Sequence, residues 1–226
     1  TFASHEKSWA YREDQMPSTH PVVANIRDLE DVQVNFDAIT YAKGGSVLRQ
    51  LVAWVGQENF MKGLASYFKK HAFANAELVD LLTELELTSG RELREWSKLW
   101  LETSGVNTLR AELDEDSEGN VTSFSVLQSH HVDYPTLRPH RLGIGYYNLV
   151  DGKVVLTHRV EVDIDGAKTE VPELVGTKRP DLILLNDGDL AYAKLRLDDR
   201  SWQTTLHNLA VVDDSLARAL LWGAAW

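Results

Sequence analysis

The strongest constraint on the fold of this chain is a change of hydrophobic period near Gly105. Before that glycine, apolar residues recur at intervals of three and four, the spacing of one helical face; beyond it they alternate, the spacing of a half-buried strand. The pattern predicts helices over 1–12, from Asn35 or Asp37 to Gly56, and over 57–72, 76–89 and 91–103, with Gly56 and Gly90 as stop signals. It predicts strands over 107–114, 121–129, 141–148, 153–163 and 182–185, with turn chemistry at 116–120 and at Asp151-Gly152. Short strands joined by tight turns argue for an antiparallel β-sandwich. A helical pattern resumes at Leu195, and Asp213 or Asp214 stands where it can cap a helix running to the end. The connection over 13–31 is polar, contains proline and is long for a compact domain, and long connections often carry function. The expected class is α+β multidomain: a helical part over 1–105, a sandwich over 106–194 and a further helical part over 195–226.

At 226 residues the chain suits one large or two medium domains. It has no cysteine, which excludes disulfides and thiolate metal sites and fits a reducing, cytoplasmic setting. A net charge of −11 offers no electrostatic footprint for nucleic acid. No apolar run is long enough to span a membrane, and no secretory signal is expected. Both ends read as cut. The chain opens on Thr1-Phe2-Ala3 without a Met and ends on an uncapped apolar run over 220–226, whose last carbonyls need partners. The expectation is a fragment of a longer protein.

The segment from Phe36 to Leu48 concentrates the chemistry. Val47, Leu48, Leu51, Val52 and Val55 form one helical stripe, and tracing it backwards reaches Gly45 or Gly44 and then Tyr41. The tyrosine is expected where the buried face emerges at the helix start, with side-chain-free neighbours that let a ligand approach the ring. A neutral phenol is a hydrogen-bond donor, suited to stabilising an oxyanion. Two readings stand on these residues alone: a buried tyrosine beside packing glycines, or a catalytic donor.

The run Phe36-Asp37-x-Ile39-x-Tyr41-x-Lys43-Gly44-x-Ser46-Val47-Leu48-Arg49 resembles the block downstream of the zinc site in the aminopeptidase N family of gluzincin metallopeptidases. Ser18-Thr19-His20-Pro21 is similar to that family's S-x-H-P segment, and Gly56, Phe60, Gly63, Leu64, Tyr67, Phe68 and His71 follow the next helix. Trp96, Trp100, Leu101 and Gly105 resemble the close of the catalytic domain, and the runs over 192–198 and 214–220 also look familial. The likeness extends in order over essentially the whole chain. The runs over 171–175, 179–182 and 220–226 look most like actinobacterial members.

The resemblance implies the end of a thermolysin-like catalytic domain, a β-sandwich and the start of a large helical domain. It implies a cytoplasmic, bacterial-type zinc aminopeptidase of broad specificity that hydrolyses the N-terminal residue from peptides. In the family, zinc is held by an H-E-x-x-H helix and a more distant Glu, and the motif Glu is the general base. Neither motif nor base is found here: His5-Glu6-Lys7-Ser8-Trp9 has Trp in place of the second ligand. Zinc is therefore expected in the full-length enzyme, held by upstream residues, with none bound to this fragment, which is expected to be inactive alone. Its expected partners are peptide substrates and the remainder of its own polypeptide.

What the resemblance leaves in this chain is Tyr41, as the donor to the tetrahedral intermediate, and Phe36, as an aromatic wall of the substrate pocket. Phe36 serves equally as a hydrophobic staple of its helix. Lys43 is given no catalytic role; its charge can simply pair with an acidic neighbour. Ala42 and Gly45 replace the Glu and Ala frequent in the family, without removing the phenol. A rival reading is a non-catalytic interaction scaffold derived from the same fold, since fold does not fix function. His130, His131 and His140 are expected in a surface loop, and Asp114, Glu115, Asp116 and Glu118 in a solvated hairpin turn. Asp163 and Asp165 are read the same way. Trp96 and Trp100 are expected in the core.

Overall fold

A computed structural model describes residues 6–225. The helix expected from Thr1 begins, within those residues, as α1 (Lys7–Glu13); positions 1–5 and Trp226 lie outside the described residues. After the connection come α2 (Leu29–Val34), a five-residue π-turn (Ile39–Lys43) and α3 (Gly44–Val55). Three further helices follow: α4 (Gln57–Lys70), α5 (Leu78–Ser89) and α6 (Arg94–Leu101). Gly56, at φ +85°, ends α3 and starts α4 in a conformation that a side chain resists. The connection is not wholly irregular, because Asp28 accepts from the Asp31 N–H and caps α2. That helix buries none of its residues, so no apolar stripe betrays it in the sequence.

Among the described residues, seven strands form two sheets. The strands β1 (Thr108–Glu115), β2 (Val121–Ser129) and β5 (Lys168–Glu170) pair antiparallel, and β7 (Lys194–Arg196) adds to β1 in parallel. The second sheet is antiparallel, with β3 (His140–Val150) between β4 (Lys153–Ile164) and β6 (Leu182–Asp187). The first sheet is therefore mixed rather than purely antiparallel. The short strands β5 and β7 escape the sequence reading because three residues show no usable alternation. Both hairpin turns form where their residues predict. Asp116 Oδ1 accepts from the Glu118 and Asn120 N–H groups, and Asp151-Gly152 both take positive φ.

The two sheets share one core, in which Leu109, Phe124 and Val126 of the first join Leu142, Ile144 and Leu184 of the second. Two C-terminal helices, α7 (Asp199–Asn208) and α8 (Ser215–Ala225), are capped by Asp198 and Asp214. Val212, between the two helices, and Ala217 and Leu221 of α8 close over the same core. A separate cluster holds the helical part together, including Val47, Leu51, Leu85, Leu93, Trp96 and Trp100. A Cβ on Gly63 would come within 2.8 Å of Leu85 and 3.1 Å of the Glu84 carbonyl, so α4 and α5 approach as closely as a bare glycine allows. No helix among the described residues is long and apolar enough to cross a membrane.

His140 departs from its expected loop. It opens β3, is fully buried and meets the Trp100 ring edge-on, with Nε2 2.8 Å from Gln128 Oε1. Burial, helped by the nearby Arg138 guanidinium, pulls its pKa from 6.5 down to about 3. Between those values the unfolded chain binds a proton that the folded chain refuses. Stability is therefore lost as pH falls through that window, by up to about 1.4 kcal/mol per pH unit from this group. His140→Gln is expected to flatten the fall in urea midpoint between pH 6.5 and 4, even though it lowers the midpoint at pH 7. Parallel pH profiles for the two proteins would refute that assignment.

Candidate functional site

The site begins at the turn that carries Tyr41. Asp37 bends its carboxylate back so that Oδ1 accepts from the Ile39 and Thr40 N–H groups, each at 3.0 Å. The Tyr41 N–H donates to the Asp37 carbonyl at 3.2 Å. Glu13, at the end of α1, accepts from the Ala38 N–H at 3.0 Å and from the Trp9 indole at 3.0 Å. The orphan donors of this helix start are thus met by acids from two elements. Beyond them the chain widens into the π-turn, and the Gly44 N–H reaches the Ile39 carbonyl five residues back. Such π-bulges are rare and recur at functional sites.

On this turn Tyr41 is 54% exposed and Phe36 67% exposed. Their rings meet edge to face, centroids 4.8 Å apart, so the structure brings together the two residues singled out from the sequence. Among the described residues nothing is hydrogen-bonded to the Tyr41 hydroxyl. The phenol is not packed inside the helical core, which disposes of the buried-tyrosine reading. The glycine beside it is not vacant ground, however: Val22 of the connection lies over Gly44, 3.6 Å from where a Cβ would stand. The predicted stripe is also rotated. Leu48 is 55% exposed, while Ser46 and Gln50 are buried. Gln50 turns inward to pair with the main chain of Arg141, donating to its carbonyl at 2.8 Å and accepting from its N–H at 3.2 Å. A polar residue used this way gives no hydrophobic signal.

Lys43, two positions beyond the tyrosine, has the acidic partner its sequence context allowed. Its ammonium and the Asp14 carboxylate are both fully buried, 2.9 Å apart. Lys43 also donates to the Thr103 and Gly105 carbonyls, and Asp14 accepts from Thr19, the Gly105 N–H and the Tyr192 hydroxyl. Burial pulls the Lys43 pKa down to about 8, against the opposing pull of Asp14. Burial, and then Asp14, pushes the Tyr192 phenol well up. Arg138 completes the cluster by donating to the carbonyls of Leu99, Thr103 and Ser104. This network locks the Tyr41 turn to the junction between helices and sheets. Gly105 sits in it at φ +91°, and a Cβ there would fall 2.5 Å from Tyr134. Nothing in the sequence spacing marks Asp14 as its centre.

The other candidates resolve into structure. His130 and His131 are exposed in a loop. Asp163 pairs with Arg91 and Arg141, and Asp165 caps the turn before β5. Trp96 and Trp100 are buried in the helical core. Among the described residues, no three His, Asp or Glu converge on a point that could hold a metal.

Comparison with known proteins gives a consistent answer. Residues 1–100 match the Peptidase family M1 domain. The whole chain is 56% identical to aminopeptidase N of Streptomyces lividans, of which it spans 27%. Half of it is 35% identical to the tricorn protease-interacting factor F2 of Thermoplasma volcanium, covering 14% of that protein. A leucyl aminopeptidase of Saccharolobus solfataricus is 35% identical over 48% of this chain, again 14% of the relative. The chain thus spans about a quarter or less of these relatives. The domain match and the whole-chain identity agree: the chain belongs to the aminopeptidase N family, within peptidase family M1.

Proposed function

We propose that the intact polypeptide carrying this chain is a zinc-dependent aminopeptidase that removes the N-terminal residue from peptides. We further propose that the Tyr41 hydroxyl donates to the oxyanion of the tetrahedral intermediate. The observation that carries this reading is the placement of the phenol: exposed, unpaired among the described residues, and held on a π-turn whose first backbone donors are capped by Asp37. A donor fixed in advance at the position where negative charge develops needs no reorganisation during the reaction, which is why such groups are effective. Phe36 limits the tilt of the Tyr41 ring from one side and offers its own exposed face to a substrate side chain.

The described residues do not supply a zinc ligand set, so the role proposed for this chain rests on the hydroxyl rather than on metal ligation. Zinc, when bound, lowers the pKa of its water and polarises a carbonyl. Its ligands, on this reading, come from parts of the polypeptide outside these 226 residues. The same reading divides the chain into the end of a catalytic domain up to about 105, a sandwich, and, after β7 rather than at the expected 195, the beginning of a helical domain, working in the cytoplasm. Leu29, Val32 and Val34, left exposed on α2, offer apolar surface to the remainder of the polypeptide.

The test is a fluorogenic aminoacyl amide. The intact polypeptide should hydrolyse it, lose activity to a chelator, regain it with zinc and leave the N-acetylated substrate untouched. The 226-residue chain with added zinc should show no turnover. Inactivity of the metal-loaded intact protein would favour a non-catalytic scaffold.

A further inference from the structure

The turn that carries Tyr41 is held by a feature that the catalytic reading does not use. His20, from the middle of the long connection, bridges two acceptors. Its Nδ1 lies 2.7 Å from the Pro21 carbonyl and its Nε2 2.7 Å from Asp37 Oδ2. The other carboxylate oxygen of Asp37 is the one that caps Ile39 and Thr40. A single carboxylate is thereby fixed from both ends, by an imidazole anchored in the connection and by the first two N–H groups of the turn. His20 and Asp37 are each about four-fifths buried, so the contact is shielded from competing water. The third N–H in sequence, that of Tyr41 itself, is taken by the Asp37 main-chain carbonyl. Asp37 thus meets three successive backbone donors leading to the tyrosine.

We propose that Asp37 and His20 are positioning residues for Tyr41: His20 sets the orientation of the Asp37 carboxylate, which sets the entry of the turn and so the place of the hydroxyl. This rests on the reading of Tyr41 as the oxyanion donor. The connection over 14–28, which otherwise has no catalytic part, gains one, because it delivers the imidazole. Glu13 supports the adjacent Ala38 N–H but does not contact the donors at 39, 40 and 41. A carboxylate free to rotate would leave the Ile39 and Thr40 N–H groups to water and allow the turn to fray, and displacement by about 1 Å at a reacting group can cost on the order of 100-fold in rate.

The experiment is a set of variants in the intact, zinc-loaded polypeptide, assayed for kcat and KM separately. Asp37→Ala is expected to lower kcat by about 10 to 100-fold with KM within about twofold. Asp37→Asn should recover most of the loss. Its amide oxygen can still accept from Ile39 and Thr40, and its NH2 can donate to His20 Nε2 while the His20 Nδ1–H keeps the Pro21 carbonyl. His20→Ala, which removes a side chain from the connection rather than from the turn, should show a smaller drop in kcat. In a Tyr41→Phe background, neither Asp37→Ala nor His20→Ala should lower kcat further, because both act through the missing hydroxyl. A structural role alone would carry the loss into that background. If Asp37→Ala does not fold, the His20→Ala cycle with Tyr41→Phe decides between the two roles. A collapse with Tyr41→Phe but unchanged kcat in the His20 and Asp37 variants, or full additivity with Tyr41→Phe, overturns the positioning pair alone. Unchanged kcat in Tyr41→Phe overturns the oxyanion role and the pair with it.

Discussion

Replacing Tyr41 by phenylalanine in the intact polypeptide is expected to lower kcat by about 100 to 1000-fold while leaving KM nearly unchanged. The substitution removes one oxygen. The ring stays, and with it the edge-to-face contact with Phe36. No cavity opens, since more than half of the side chain already faces solvent, and no hydrogen bond within the described residues is lost. The thermal midpoint should therefore stay within a degree or two of the parent, because exposed substitutions of this kind change stability by about 0.5 kcal/mol or less. A hydroxyl that acts only on developing negative charge stabilises the transition state and not the bound peptide, and this is why the loss should appear in kcat. Parallel measurement of both constants with one aminoacyl amide decides the matter. A kcat within threefold of the parent, or a loss confined to KM, would sink the oxyanion role.

The second large effect is on stability. Lys43→Met is expected to destabilise the fold by about 3–5 kcal/mol, read as a drop in urea midpoint. Both charges of the Lys43–Asp14 pair are fully buried, so removing the ammonium leaves a carboxylate that has been taken out of water with no counter-charge in contact. Thr19, the Gly105 N–H and Tyr192 still donate to Asp14, yet neutral donors do not replace a full positive charge. Adding Asp14→Asn to Lys43→Met should recover much of the loss. The amide oxygen keeps the Gly105 N–H satisfied, and the pair becomes neutral at similar volume. The two substitutions should accordingly be strongly non-additive. A cost below about 1 kcal/mol for Lys43→Met would show that the Tyr41 turn is held to the helix–sheet junction by other contacts.

The part of this fold legible in the sequence is the part set by local periodicity and turn chemistry. Strands β1 to β4 and β6 lie within a few residues of their expected positions because alternation and turn residues act over short spans. Helices α3 to α6 are legible for the same reason, through their apolar spacing and through Gly56 and Gly90. Helix α2 is not, because it buries nothing; β5 and β7 are not, because an edge strand of three residues is defined by its neighbour rather than by its own side chains. At the site, Tyr41 and Phe36 stand out by motif. Gln50 carries no signal of its inward role, and the apolar stripe puts Leu48 on the wrong side of its helix.

The amino-acid order by itself determined which residues could do chemistry here: one phenol near a glycine pair, one aromatic five positions before it, and acids able to cap the helix between them. Only the tertiary structure decided what held them. Asp14, His20 and Arg138 reach the turn or its buried network from 27, 21 and 97 positions away from Tyr41 along the chain. Their value lies in removing water from charged groups, a property of the closed fold that no local pattern encodes.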